Sequence, residues 1–117
     1  MSNMTPAFDN DGYPTELTLS IIEDWKIESQ EDLTKLFDYA KEAYHSLYGN
    51  WYVIDDYDKL SHWYFEPFDA LIVSTGGWSG NESVIRALME NPIIRMRCLI
   101  ATFAGGMYIF DINPFKS

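Results

Sequence analysis

Apolar residues recur at helical spacing in three stretches of this chain and run together or alternate in the others. After Thr15, the residues Leu17, Ile21 and Trp25 stand four apart and so share one helical face. Thr15 is a suitable cap and Glu16 stands near the positive end, which predicts a helix to about Trp25. Ser29-Gln30-Glu31-Asp32 has the form of a capping box, with Asp where Glu or Gln is usual. The helix it opens is predicted to run to about Tyr48 and to stop at Gly49-Asn50. Leu33, Leu36, Phe37, Ala40, Tyr44 and Leu47 form its apolar stripe, and Thr34, Lys35, Asp38, Lys41 and Glu42 face water.

Residues 51–69, WYVIDDYDKLSHWYFEPFD, follow neither period. Short strands are expected at Trp51–Ile54 and near Trp63–Phe65. The consecutive apolar residues within Ala70–Thr75 predict a central strand covered on both faces, ended by Gly76-Gly77. Ser79 to Glu82 repeats the capping-box spacing, so a third helix should run to about Asn91, before Pro92, burying Val84, Ile85 and Leu88. Arg95–Phe103 and Met107–Ile112, rich in β-branched and aromatic residues and joined by Ala104-Gly105-Gly106, read as a hairpin.

These elements predict a single α+β domain over residues 15–117: a small mixed sheet with a C-terminal hairpin, packed by two to three helices. If the strands at its two ends were neighbours, the strand–helix–strand unit over 70–103 would be parallel and right-handed. A loosely held segment, 1–14, precedes the domain and ends in the turn Gly12-Tyr13-Pro14. At 117 residues, 47% hydrophobic and 16% aromatic, the chain suits one packed domain and not a disordered one. No apolar run approaches the roughly 18 residues of a membrane span. The polar, acidic start MSNMTPAFDNDGYP lacks the features of a secretory signal, so a cytoplasmic location is expected. Cys98 stands alone, which excludes an internal disulfide and a cysteine-rich zinc site. Within RMRCLIATF it reads as a packed, inert thiol.

Charge is unevenly spread. Residues 1–69 hold fifteen acids against four lysines, a charge of −11, whereas residues 70–117 carry +1. An acidic half repels nucleic acid and anionic membrane alike, so neither is expected as a direct partner. A basic protein partner fits the charge, although an acidic surface also serves solubility alone.

The most distinctive string is Thr75-Gly76-Gly77-Trp78-Ser79-Gly80-Asn81-Glu82, between a strand and a helix start. A helix N-terminus with glycines beside it favours anions. Here, however, the P-loop lysine and the dinucleotide glycine spacing are missing, and Glu82 occupies the place of a phosphate. The structural reading expects positive φ at Gly76 or Gly77 and a side-chain cap from Ser79 or Asn81. It also expects Trp78 to be buried against the third helix or the hairpin. A small ligand-binding protein or enzyme using Gly76–Glu82 with Arg86, Arg95 or Arg97 is the alternative, although Glu82 and Arg86 are spaced to pair along the helix.

His45 and His62 would need Asp55, Asp56, Asp58 or Glu66 to hold zinc, and the DDYD run lacks EF-hand spacing. Neither a metal nor a cofactor is expected. Ser74, Ser79 and Cys98 could serve as nucleophiles, but Gly77-Trp78-Ser79-Gly80 falls one residue short of a nucleophile elbow, so an enzyme is not expected. Trp51, Tyr52, Tyr57, Trp63, Tyr64, Phe65 and Phe68 are interleaved with Asp55, Asp56, Asp58 and Glu66. Rings with a polar rim suit a binding surface, and the competing reading has half of them completing the core.

Three strings, Asp11-Gly12-Tyr13-Pro14-Thr15, Thr75–Glu82 and Gly105–Ile112, together resemble a family of small proteins encoded in many bacteriophage and prophage genomes. That family has a D-x-Y-P-T opening, an S/T-G-G-W-S-G-N-E loop and a G-G-x-Y-x-F-E-(I/V) end. Its Trp- and Arg-rich text is replaced here by Arg95–Ala104, and its Glu by Asp111, so a shared basic surface is not implied. The resemblance implies a phage-type setting and no particular chemistry. The resulting expectation is a non-enzymatic accessory protein in the host cytoplasm that binds a host or phage protein. Its contact residues would be Trp51, Tyr52, Asp55, Asp56, Tyr57, Asp58, Trp63 and Glu66. Acidic side chains occupying the phosphate groove of a nucleic-acid-binding host-defence protein would be a sharper form of this reading. A self-associating scaffold is a third reading.

Overall fold

A computed structural model describes residues 5–45, 47–59 and 66–115. Helix α1 (Glu16–Glu23) begins where expected, with the Thr15 hydroxyl accepting the Thr18 N–H at 3.2 Å. Its buried residues are Thr18 and Ile22, while Leu17 is exposed and Ile21 half-buried. The inward face is thus turned from the one that Leu17, Ile21 and Trp25 mark out. Trp25 lies beyond the helix, where its indole rests on Tyr39 and donates to the Asp32 carbonyl at 3.1 Å.

Helix α2 (Gln30–Ala43) is capped by Ser29, whose hydroxyl accepts the Asp32 N–H. The shorter Asp32 side chain reaches back to the Glu28 N–H at 2.9 Å, one residue before the group a Glu would take in a capping box. Leu33, Leu36, Phe37, Ala40 and Tyr44 are buried as the stripe predicts, and Tyr39 and Ala43 join them. The five residues expected to face water do so. The helix stops at Ala43, earlier than Tyr48, and Leu47 is 83% exposed. The cause lies in α3 (Ser79–Glu90): the fully buried Asn81 accepts the His45 N–H at 2.7 Å and donates to the His45 carbonyl at 3.0 Å. An N–H committed to that carboxamide cannot also donate into the helix ladder, and the His45 carbonyl, shared with the Tyr48 N–H at 3.1 Å, turns the chain out of the helix. At the other end of α3, buried Asn91 donates to the carbonyls of Ile22 and Trp25, both at 3.1 Å, and so closes the end of α1.

Strands β1 (Asn50–Tyr57), β2 (Phe68–Ser74), β3 (Leu99–Phe103) and β4 (Met107–Asp111) form one sheet in the order β1-β2-β4-β3. The fold class is α+β. The sheet departs from the mixed one expected in that every ladder is antiparallel. β2 and β3 do run parallel, but β4 lies between them, so the unit spanning 70–103 makes no parallel pairing. The first hairpin strand is also shorter than predicted. Ile94–Cys98 forms a π-helical turn after α3, closed by the Leu99 N–H donating to the Ile94 carbonyl five residues back, and it places Ile94 and Cys98 in the core. The possible strand near Trp63–Phe65 lies outside the described residues.

Leu71 pairs with Phe110 and Val73 with Tyr108, and these side chains meet the helices in a core that includes Leu36, Phe37, Val84, Ile85 and Leu88. The opposite face of β2 is covered only in part: Ala70 is buried and Ile72 half-buried. Cys98 is fully buried, and burial, reinforced by Asp111, pushes its thiol up to about 12. The native protein should therefore give no reaction with a thiol reagent such as DTNB at pH 8. Labelling should appear only across the unfolding transition, as read by absorbance along a urea series.

Candidate functional site

β1 pairs with β2 and, among the described residues, with no other strand, so it is one edge of the sheet. Its ladder runs regularly from Asn50↔Ser74 to Ile54↔Ala70 and resumes at Tyr57↔Phe68. Between these points Asp55 and Asp56 form an irregularity, with Asp56 at φ +51° and its N–H donating to an Asp69 carboxylate oxygen at 3.1 Å. Of the candidate contact residues, Trp51 and Tyr57 are anchored, Trp51 against Tyr44 at 5.2 Å and Tyr57 edge-on to Phe68 at 5.9 Å. Tyr52, Asp55, Asp56 and Asp58 are exposed, as is Glu66 before β2. Trp63 lies outside the described residues, together with His62, Tyr64 and Phe65.

Val53 and Ile54, which sequence reasoning did not select, are 53% and 41% exposed beside Tyr52 at 56%. Three successive apolar or aromatic residues exposed on a strand are unusual for a sheet edge without a partner. Between α2 and β1 opens a groove of about 230 Å³ whose floor is Phe37, Trp51, Val53, Leu71 and Ile112. Its rim is polar: Thr34, Asp38, Lys41 and Asn113.

The glycine–tryptophan loop is held together by the fold's own contacts. Gly76 and Gly77 both adopt positive φ, +68° and +77°. The expected side-chain cap of α3 is absent: the Ser79 hydroxyl donates to the Tyr13 hydroxyl at 3.2 Å, and Asn81 is committed to His45 and the Thr75 carbonyl. Trp78 is half-buried, less than expected, and packs on the third helix, one of the two expected placements. Its ring lies on Gly80, where any Cβ would collide with it, and is flanked by Tyr13 at 4.9 Å and Tyr48 at 5.1 Å, with His45 edge-on at 5.6 Å. Trp78→Ala should destabilise by about 2 kcal/mol in urea denaturation, less than a fully buried ring would cost.

Of the arginines of the alternative ligand site, Arg86 lines a cleft with Glu82, whereas Arg95 and Arg97 are engaged elsewhere. Arg95 donates to the Met89 carbonyl at 2.9 Å, and Arg97 lies over the Phe115 ring at 4.8 Å. Among the described residues the ion pair formed is Lys35 with Glu31, and Glu82 and Arg86 do not pair. No three His, Cys, Asp or Glu side chains among the described residues converge as a metal site, and no described helix is long and apolar enough to cross a membrane.

Asp111 stands on β4 opposite Ala70 and is partly buried. Burial first, and Asp69 beside it, hold its carboxyl above the usual carboxylate range, against the pull of a bond from the Asn113 N–H. A raised carboxyl favours the fold most when protonated, so its unfavourable contribution grows as pH rises through the folded-state titration. Asp111→Asn keeps the acceptor for Asn113 and should raise Tm at pH 7. The gain should shrink toward zero in melts below the unfolded-state titration.

Comparison of the chain with protein-family models, with curated proteins and with solved structures yields no match.

Proposed function

We propose that this chain is a phage-type accessory protein that acts by binding another protein, with β1 as the docking strand for an extended, basic segment of its partner. The single observation that carries the reading is the edge of β1 that no described strand pairs, where exposed Tyr52, Val53 and Ile54 lead into exposed Asp55, Asp56 and Asp58. An added strand would satisfy the outward backbone groups of the edge, and alternate side chains would reach the groove beside Trp51 and Val53. The three aspartates, and Glu66 beyond them, would pair with basic residues near one end of that strand. The phage-type setting rests on the resemblance of the D-G-Y-P-T, TGGWSGNE and GGMYIFDI strings. Acidic residues competing for a phosphate-binding groove would be the sharper form of the same interaction.

The test is capture from lysates of infected bacteria by the native chain, beside Val53→Lys and the pair Asp55→Lys with Asp56→Lys, each checked for folding by circular dichroism. Loss of the same captured protein in both variants, together with release at rising salt, is the expected result. Capture that neither variant alters would overturn the reading, and a salt-resistant dimer by sedimentation would replace it with self-pairing of β1. If nucleic acid displaces the captured protein, the phosphate-groove form holds.

A further inference from the structure

We propose that the cleft between the N-terminal arm and the end of α2 is a pocket for an organic cation, taking a guanidinium or an alkylated ammonium head. The inference goes beyond the docking of a strand on β1 and does not depend on it. The cleft has a volume of about 340 Å³ and is lined by Phe8, Gly12, Glu42, Tyr44 and His45.

The arm that forms one wall is closed by its own hydrogen bonds. The Thr18 hydroxyl accepts the Ala7 N–H at 2.9 Å and donates to the Ala7 carbonyl at 3.1 Å, and the Thr15 N–H donates to the same carbonyl at 3.0 Å. The Asp9 carboxylate takes the N–H groups of Asp11 and Tyr13, and the Asp9 N–H donates to the Tyr13 carbonyl at 2.8 Å. These bonds tie down the backbone on both sides of Phe8 while its ring stays 47% exposed at the cleft, outside the core. The facing wall is just as well supported. Asn81 fixes the His45 peptide, and the His45 ring rests against Tyr48 at 4.7 Å and edge-on to Trp78 at 5.6 Å.

Sign of charge selects the ligand. Among the described residues Glu42 is the lining residue with a carboxylate, Asp9 and Asp11 precede Gly12 in the arm, and no described lysine or arginine lines the cleft. Aromatic rings attract cations through their π faces, and a carboxylate on the rim adds to that attraction while repelling anions. The volume suits a small head group with a short stem. Such a head could belong to an arginine or methylated lysine of a partner, or to a free metabolite.

The experiment is an amide NMR titration of the full chain with three probes: choline, N-acetyl-arginine amide, and 3,3-dimethylbutanol, the neutral isostere of choline. Saturable shifts at Gly12 and His45 are expected with one or both cations and not with the alcohol. Response to the arginine amide alone assigns the pocket to a guanidinium, and response to choline alone to an alkylated ammonium. Phe8→Ala and Glu42→Gln, both at exposed positions, should each weaken binding at least about fivefold, the scale of one cation–π or carboxylate contact. Amide dispersion in each variant's own spectrum shows whether it is folded. Equal shifts with the alcohol, no saturable shift with either cation, or full binding by a folded Glu42→Gln protein would overturn the proposal.

Discussion

Gly76→Ala should be the most damaging single-methyl addition in the chain, with an expected loss of more than about 3 kcal/mol in urea denaturation. Two effects act together at this position. The backbone sits at φ +68°, where a Cβ costs roughly 1–2 kcal/mol. A Cβ built there would also overlap the Tyr48 carbonyl oxygen and come within 2.7 Å of the carbonyl carbon. Both atoms belong to the backbone, so no rotamer change relieves the clash, and the 48–49 segment must separate from the 75–76 turn. Gly49, one residue on, is pressed against the Ser74 carbonyl, which leaves that segment little room to retreat. Gly77→Ala is the matched control. It has a similar φ of +77° but nothing near its Cβ, so only the conformational cost remains, about 1 kcal/mol. Equal losses in the two variants would show that the 48–49 segment yields freely.

Leu36→Ala should cost about 2–5 kcal/mol, since Leu36 is fully buried in the core beneath α2 and the helix cannot close the cavity left behind. Leu47→Ala removes the same atoms from the stripe read along the same stretch. It should change stability by less than about 0.5 kcal/mol, because Leu47 is exposed. Parallel urea melts of the two variants test where α2 stops contributing to the core. A substantial loss at Leu47 would contradict the early end of the helix.

The two leucines also mark how far local pattern reaches. Leu33, Leu36, Phe37, Ala40 and Tyr44 were legible because a helix of this length has one face to bury and the polar residues opposite define it. The stripe ran on to Leu47 because its spacing continues there. What ends the helix is a side chain 36 residues away in sequence, Asn81, which takes the His45 N–H for itself and also donates to the His45 carbonyl. As Asn81 stands near the start of α3, its position alone suggested a cap for its own helix. Asn91 marks the end of α3 as its place before Pro92 predicts, but its amide also closes the last turn of α1, 69 residues from Ile22, which no local pattern shows.

The candidate contact surface divides along the same line. The aromatic–acidic text of 51–69 singled out Tyr52, Asp55, Asp56 and Asp58, which stand exposed, but also Trp51 and Tyr57, which pack inward. Val53 and Ile54 escaped notice because valine and isoleucine in a strand ordinarily signal a buried face. Nothing local distinguishes an edge strand from a central one.

From its sequence alone, then, this chain determined an α+β domain, the starts of its three α-helices and the places of four strands to within a few residues, the caps at Thr15 and Ser29, the inert setting of Cys98, and the need for glycine at the 76–77 turn. Each of these follows from side-chain period, local hydrogen bonding or the missing Cβ of glycine, which act within a few residues. The tertiary structure alone decided that β4 enters between β2 and β3, that Ile94–Cys98 turns as a π-helix, which face of α1 goes inward, and where α2 ends. Those outcomes depend on competition for backbone N–H and carbonyl groups, and for core volume, among residues distant in the chain. That competition has no local period to read.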